Sequence, residues 1–421
     1  MWATLAWIGP FRHLPPPRPE RVAVLGRGPA GLASAYFLAN AGVQVSVVER
    51  EQEPGGMLRY GIPPYRLPKE VLIREINNLV TSLGIDLHLG QDLAPAQIPG
   101  LLETADFVFC APGLWSSQWP KELPESPLIH SGLEVLRRIN SGQNISGSSF
   151  AVIGGGNVAV DVARSLLRLG KTVHIVYRRS FAQMPAYDLE KQQALEEGVH
   201  LHEQALTAAI DVQDTSLHIT LAQALSQDGK IVPGEHSGSL QVDGLLVATG
   251  QAPHCEIQAN ERILIGGDLL LGPATVVQAM ATGRQGARTI LERIDPDLVH
   301  QADIDIQDLP VLSSHHPLEY VPKEKPVQEP LVDVNSRSQG FAEIHSGLNQ
   351  SQVQEAASRC LQCTHCTGCG ICWFFCPDVA ISLEEGPEGE TEVHIDQEHC
   401  KGCGLCAAVC PRGMIEMEED V

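Results

Sequence analysis

The sequence predicts an α/β chain: two modules built on parallel sheets, followed by a small α+β module rich in cysteine. Three observations carry this. A strand, a glycine-rich turn, a helix and a second strand follow one another from Val22 to Arg50, VAVLGRGPAGLASAYFLANAGVQVSVVER. The same order returns from Phe150, FAVIGGGNVAVDVARSLLRLGKTVHIVYRRS. Ten of the twelve cysteines fall between Cys360 and Cys410, at gaps of two and three residues.

In the first pattern an apolar strand (Val22 to Leu25) runs into Gly26-x-Gly28-x-x-Gly31. A helix follows from Leu32 to Asn40, and a strand from Val43 to Val48 ends in Glu49. Gly26 serves the tight turn, Gly28 the approach of backbone amides to a pyrophosphate, and Gly31 the close packing of helix on strand. The positive N-terminus of the helix faces the phosphates, and Glu49 is placed to accept from a ribose diol. This is a Rossmann-like dinucleotide fingerprint.

Length and composition bound the rest. At 421 residues and 43% hydrophobic content the chain has room for two to four domains with sizeable cores. A formal net charge of −22 argues against nucleic acid, which needs clustered Lys and Arg. No apolar run reaches the length of a membrane span, and Met1 to Arg21 lacks the basic start and small-residue cleavage site of a leader. The expectation is a cytoplasmic protein, in which closely spaced cysteines mean metal and not disulfides.

Residues 1–20 mix a few large apolar side chains with a proline run and read as an arm, either disordered or docked on a partner. After the first fingerprint, GGMLRYGIPPYRLPKEVL (Gly55 to Leu72) allows a second close backbone approach, and its prolines forbid a regular element across Ile62 to Pro68. A helix (Lys69 to Leu83), a strand (Ile85 to Leu89) and a buried strand, DFVFCAPG from Asp106, follow; Cys110 reads as a packed apolar residue.

The second fingerprint has Gly154-x-Gly156-x-x-Ala159, and its second strand (Val173 to Tyr177) ends in Arg178 and Arg179 where the first ended in Glu49. An acid there suits a ribose hydroxyl, whereas arginine pairs bidentately with a 2′-phosphate, so the residues favour NADP(H), the alternative being a solvated strand end that tolerates either cofactor. Residues 199–248 read as strands and hairpins closing in LLVATGQ. The chain then returns to its first module: Gly267-Asp268 follows a strand, and a helix runs from about Pro273 to Leu291. Asp268 suits either the ribityl–pyrophosphate region of a flavin dinucleotide or a helix cap. Residues 295–350, rich in Pro, Asp, Glu and Ser, read as an extended connector with His315 and His316 on its surface, and a short helix is expected over Gln352 to Arg359.

Cys366, Cys369, Cys372 and Cys376-Pro form one bacterial ferredoxin run, and Cys400, Cys403, Cys406 and Cys410-Pro a second. In such a pair the fourth cysteine of each run ligates the other 4Fe-4S cluster. One cluster takes Cys366, Cys369, Cys372 and Cys410, the other Cys400, Cys403, Cys406 and Cys376. Tight turns and the following proline fit a cubane better than zinc, which more usually takes two separated CxxC pairs. Cys360 and Cys363 are surplus; they read as free thiols, with a redox pair or a further shared cluster as alternatives.

In combination, the two fingerprints, GGMLRYGIPPYRLPKEVL, VYRRS with Met184-Pro185-Ala186, ATGQ, GGD and GPATVVQAMATGR make residues 22–291 resemble the small subunit of glutamate synthase and its relatives. That resemblance implies an FAD domain interrupted by an NAD(P) domain. It places Gly26, Gly28, Gly31, Glu49, Gly56, Leu58, Asp268 and Val276 against FAD, and Gly154, Gly156, Asn157, Arg178 and Arg179 against the nicotinamide nucleotide. With a ferredoxin module appended, the chain looks more like the FAD and iron–sulfur subunit of a 2-oxoacid oxidoreductase such as phenylglyoxylate dehydrogenase. That implies NAD as acceptor and thiamine-dependent partner subunits.

The expected organisation is an arm (1–20), an FAD domain in two parts (21–145 and 256–295) around an NAD(P) domain (146–255), a linker (296–355) and a 2×(4Fe-4S) domain (356–421). The expected function is electron transfer between clusters and NAD(P) through FAD, with no side-chain acid, base or nucleophile required. The rival readings are a stand-alone ferredoxin:NAD(P) oxidoreductase, a glutamate synthase small subunit, and a structural adaptor with degenerate sites.

Overall fold

The computed structural model describes residues 15–227, 230–253, 256–301, 324–360, 366–386, 391–411, 413–415 and 417. They divide into two compact units: residues up to 301 with 331–345, and residues 324–330 with those from 346 onward. Among the described residues no helix is long and apolar enough to cross a membrane.

The first unit contains two five-stranded parallel sheets. The first is ordered Ile263–Ile265, Phe107–Cys110, Arg21–Leu25, Gln44–Val48, Asp86–His88, and the second Ile129–Ser131, Gly244–Val247, Ser149–Ile153, Thr172–Tyr177, His200–Glu203. Their central strands are apolar on both faces, as helix-covered parallel sheets require: Val22, Ala23, Val24 and Leu25 are all buried. The sheets repeat one plan but complete it differently. The edge strand beside Phe107–Cys110 comes from the return of the chain at Ile263, whereas its counterpart in the second sheet precedes the fingerprint. A three-stranded antiparallel sheet (Ala205–Val212, Leu217–Gln227, Lys230–Val242) fills the region expected to form hairpins.

Helix packing fixes the returning segment. Helix Val276–Ile294 crosses helix Pro29–Asn40 so closely that a Cβ on Gly283 would lie 2.1 Å from the Ala30 carbonyl oxygen. The expected helix from Pro273 starts later, because Thr275 caps it through the Gln278 amide and residues 268–271 form a separate turn of helix. Helix Lys69–Leu83 lies where the sequence puts it. Cys110 is fully buried in the core beneath the first sheet. Of the N-terminal arm, the described end lies against the first module: the Arg18 amide donates to the Gly42 carbonyl at 2.9 Å.

The connector is not extended throughout. Residues 331–345 fold back on the first unit: Ile344 is buried, its amide donates to the Tyr65 carbonyl at 3.2 Å, Phe341 packs near the Tyr65 ring, and Arg337 is buried against Glu196 and Glu197. The anchor is a buried ion network. Arg164 and Arg168 both grip Glu197, at 2.6 to 2.9 Å, and Arg66 joins Asp161 at 2.8 Å and Glu190 at 3.0 Å. Arg168 stacks 3.8 Å from the centre of the Tyr65 ring. Burial alone pushes Glu197 up, but the hydrogen bonds from Arg164 and Arg168 outweigh it and hold its carboxyl below the usual range. Because Tyr65 and Arg66 come from the proline-rich loop of the first module and Arg164 from the second fingerprint helix, the network sets one module against the other. His315 and His316 lie outside the described residues.

In the second unit, helix Gln350–Ser358 begins two residues before its expected start because Asn349 caps it and exchanges hydrogen bonds with Gln352. The cysteine runs then repeat one motif. Gly370 and Gly404, both in the left-handed region, open the short helices Ile371–Phe375 and Leu405–Val409, and each helix stops at the fourth cysteine of its run. Strands Ile381–Glu385 and Thr391–Ile395 form an antiparallel hairpin between the two runs.

Candidate functional site

The first fingerprint opens a cleft of about 1460 Å³, counted out to its mouth, lined by Gly26, Arg27, Gly28, Glu49, Gly56, Asp268, Thr275 and Val276 among others. The glycines divide the labour. A Cβ on Gly31 would lie 1.9 Å from the Gly26 carbonyl oxygen, so Gly31 serves helix–strand packing, while a Cβ on Gly28 would meet open space and Gly28 borders the cleft. Glu49 is buried, its carboxylate accepting from the Arg27 amide at 2.7 Å and the Glu51 amide at 3.0 Å. Burial pushes this carboxyl up, against those two bonds. Asp268 is pushed up to about 6 by burial, opposed by the Ala274 amide. It does not cap helix Val276–Ile294; Thr275 does, and the positive end of that helix borders the cleft.

The Leu58 side chain packs with Leu67, Leu72 and Ile76 in a small core, and its neighbour Met57 lines the cleft. Arg27 and Trp115 are cleft residues that the sequence reading missed. Trp115 stacks under Arg50 at 5.0 Å; its signal is an aromatic two residues beyond the strand-ending Gly113.

Arg27 tests whether a dinucleotide fits. It is 1% exposed, burial lowers its guanidinium to about 10 against the pull of Glu49, and its Nε and Nη2 are buried without a hydrogen-bond partner. A buried guanidinium with two nitrogens lacking hydrogen-bond partners, beside Gly28 and a helix N-terminus, suits the diphosphate of FAD. Arg27→Ala is expected to weaken FAD binding about tenfold to a hundredfold, the range for a charged hydrogen bond, while leaving the flavin-free protein no less stable. Titration of deflavinated protein followed by flavin fluorescence checks this; an unchanged affinity overturns it.

The second fingerprint repeats the geometry. A Cβ on Gly154 would lie 2.2 Å from the Ala248 carbonyl oxygen, and one on Gly156 would meet open space at the start of helix Asn157–Arg168. The Asn157 side chain accepts from the Tyr187 amide at 3.1 Å, and the Tyr177 hydroxyl donates to the Gln183 carbonyl at 2.8 Å. These bonds hold the segment carrying Met184 and Ala186, both buried, beside the glycine turn. Arg178 and Arg179 are exposed at the end of the adjoining strand, and among the described residues neither guanidinium has an ion-pair or hydrogen-bond partner. Gln204 pins the backbone there through the Arg179 carbonyl at 3.0 Å. A cationic strand end beside an open turn fits a nucleotide bearing a 2′-phosphate.

In the second unit Cys376, Cys400, Cys403 and Cys406 line one cavity of about 380 Å³, counted to its mouth. Cys376 comes from the first run and the other three from the second, which is the crossed set. They ring the cavity and do not converge: among the described residues no three His, Cys, Asp or Glu side chains meet at single-ion distance. Cys376 accepts from the Ala380 amide and Cys410 from the Met414 amide, both at 3.3 Å, and Cys366 from the Gly368 amide at 3.4 Å. Such amide–sulfur bonds suit thiolates that carry a cluster. Cys372 is buried, and burial raises its thiol, with Cys366 and Cys369 adding to the rise. Cys360 is exposed, and Cys363 lies outside the described residues. Cys376→Ala and Cys406→Ala are expected to remove the same cluster and Cys410→Ala the other, each with about half the iron lost; paramagnetic resonance of the reduced proteins checks the pairing.

Residues 20–269, more than half of the chain, match the pyridine nucleotide-disulphide oxidoreductase family, and residues 365–414 match a 4Fe-4S dicluster domain. The NADP(+)-dependent formate dehydrogenase subunit beta of Moorella thermoacetica is 31% identical over 398 residues, covering 82% of this chain and 54% of that protein. The glutamate synthase [NADPH] small chain of Escherichia coli is 28% identical over 326 residues, 66% of this chain and 69% of that one. The chain therefore spans little more than half the length of the first relative. Mycobacterium tuberculosis FprA in complex with NADPH superposes with a TM-score of 0.55 at 16% identity, over 70% of this chain and 88% of that one, a likeness of fold. The chain belongs to the pyridine nucleotide-disulphide oxidoreductase family, as an oxidoreductase with an FAD/NAD(P) domain and an appended 4Fe-4S dicluster domain.

Proposed function

We propose that the protein is the NADP(H)-linked electron-transfer subunit of a multisubunit oxidoreductase. The observation that carries this is the presence in one chain of an open dinucleotide cleft with a buried guanidinium whose Nε and Nη2 lack hydrogen-bond partners, a second glycine turn beside Arg178 and Arg179, and a cavity ringed by four cysteines from two runs. Nicotinamide moves hydride and clusters move single electrons, and FAD supplies the exchange between the two. This chain's residues bind and orient. Gly28, Arg27 and Glu49 would hold FAD, Gly156 and the two arginines the nucleotide, and the eight cysteines two clusters.

Arg178 and Arg179 support NADP(H) over the NAD that the phenylglyoxylate dehydrogenase resemblance implies, and both curated relatives described above carry NADP(+) or NADPH in their names. The relatives named as a formate dehydrogenase subunit and a glutamate synthase small chain support a partner that handles the organic substrate. A thiamine-dependent 2-oxoacid enzyme is the partner the resemblance suggests, and a formate dehydrogenase is the alternative favoured by the Moorella relative.

Anaerobic purification from the native source, with analysis of co-purifying subunits, tests this together with NADPH and NADH titration at flavin and cluster wavelengths. The expected result is a coloured protein in which NADPH bleaches both chromophores and which carries partner subunits. A lone chain that turns over with free ferredoxin overturns the complex, and a colourless one overturns the electron-transfer role.

A further inference from the structure

The second unit carries an apolar face beside its cysteines. In helix Ile371–Phe375, Trp373 is 48% exposed, Phe374 75% and Phe375 46%, and Val379, three residues past the helix-ending Cys376, is 78% exposed. Phe374 and Phe375 meet edge to face with ring centroids 5.3 Å apart. Val379 sits at φ 56°, a left-handed conformation that a β-branched residue adopts only at a cost. The fold thus accepts backbone strain at a position where the side chain gains almost no burial. Cys372 lies within this helix and Cys376 ends it, so the exposed residues are sequence neighbours of ligands assigned above to both clusters.

The sequence of this unit is acidic. Residues 346–421 hold thirteen Asp and Glu against three Lys and Arg. Glu384, Glu385, Glu392, Asp396 and Glu398 are exposed, whereas Lys401, one of the three cations, is paired with Asp378 at 2.6 Å. A second copy of this chain would bring the same negative charge to the contact, and an anionic lipid surface would be repelled likewise.

We propose that Trp373, Phe374, Phe375 and Val379 form the docking face for a one-electron redox protein with an apolar centre and a Lys/Arg collar. The proposal rests on the reading that the cysteines carry clusters exchanging electrons with a partner. Apolar anchors at the centre fix the short cofactor-to-cofactor approach, and the acidic surround steers the encounter. One electron leaves a reduced cluster and reduces the partner's one-electron centre, with no proton or bond change in this chain.

The probe is oxidised mitochondrial-type cytochrome c, a basic protein with an exposed haem edge ringed by lysines. The full-length holoprotein is reduced with dithionite, desalted and mixed with it in a stopped-flow instrument. Phe374→Ser combined with Val379→Gly removes two exposed side chains and relieves the strained φ, so folding is preserved. The second-order rate constant is expected to fall roughly tenfold in this double variant, and the wild-type rate to fall as salt is added. Reduction of the variant's clusters by NADPH should proceed at the wild-type rate. An unchanged cytochrome rate overturns the docking face, as does equal slowing of cluster reduction by NADPH, which would place the face in transfer within the chain. Failure of NADPH to reduce wild-type clusters would instead count against the proposed function, because the dithionite experiment does not use NADPH.

Discussion

Alanine at both Arg178 and Arg179 is expected to lower kcat/KM for NADPH by about a hundredfold while changing that for NADH by less than about threefold. Charged hydrogen bonds contribute about 1.5–3 kcal/mol each when formed to an anion, and 1.4 kcal/mol is tenfold. Two exposed arginines lose part of this to solvent, which leaves roughly 3 kcal/mol for the pair. Both guanidiniums are exposed and have no partner among the described residues, so their removal breaks no internal contact and the folded protein should be unaffected. Steady-state rates with ferricyanide as acceptor separate the cofactors without involving a partner subunit. Replacement by lysine should recover part of the loss, since a point charge attracts a phosphate without matching its oxygens bidentately. Equal loss with NADPH and NADH would mean that the arginines act on something both nucleotides share, and the 2′-phosphate argument would fail.

The parts of the site that were legible in the sequence are those encoded by local spacing. Gly26, Gly28 and Gly31 had to serve a turn, an open approach and a helix contact because those needs recur at fixed offsets, and a Cβ on each of the three meets the predicted kind of surrounding. The grouping of Cys376 with Cys400, Cys403 and Cys406 was legible for the same reason. Contacts between distant residues were not. Arg337 reaches Glu196, 141 residues away, from a stretch with no periodicity. A buried ion pair leaves no hydrophobic pattern, so residues 331–345 looked like part of a linker. Arg27 occupies the variable position between two glycines, where local spacing assigns it no role and only its burial does. Within helix Met57–Tyr60 a one-residue step turns a side chain from the cleft at Met57 to the core at Leu58, a contrast that local spacing does not encode.

Glu197→Ala is expected to destabilise the first unit by about 3–5 kcal/mol, the cost of breaking a buried ion pair by removing one partner. Glu197 is the single carboxylate shared by Arg164, Arg168 and Arg337, and its side chain is fully buried. Without it, Arg168 keeps only the Arg164 carbonyl, at 3.1 Å, and its stacking on Tyr65, so a charge is left in the interior with no counter-ion. Arg337→Met should cost less, since Glu197 retains two arginines and Glu196, the other partner of Arg337, is 42% exposed and can be hydrated. Denaturant unfolding of the full chain gives both values. The pH dependence identifies the cause. The folded carboxyl lies below its ordinary value, so its stabilisation is complete above the unfolded value of about 4.3 and is lost as pH falls through the lower folded one. The difference between wild type and Glu197→Ala should therefore shrink in acid. A difference that stays constant from pH 7 down to about 3 would assign the loss to packing around Tyr65, and the ion network would not be what sets the two nucleotide modules and residues 331–345 together.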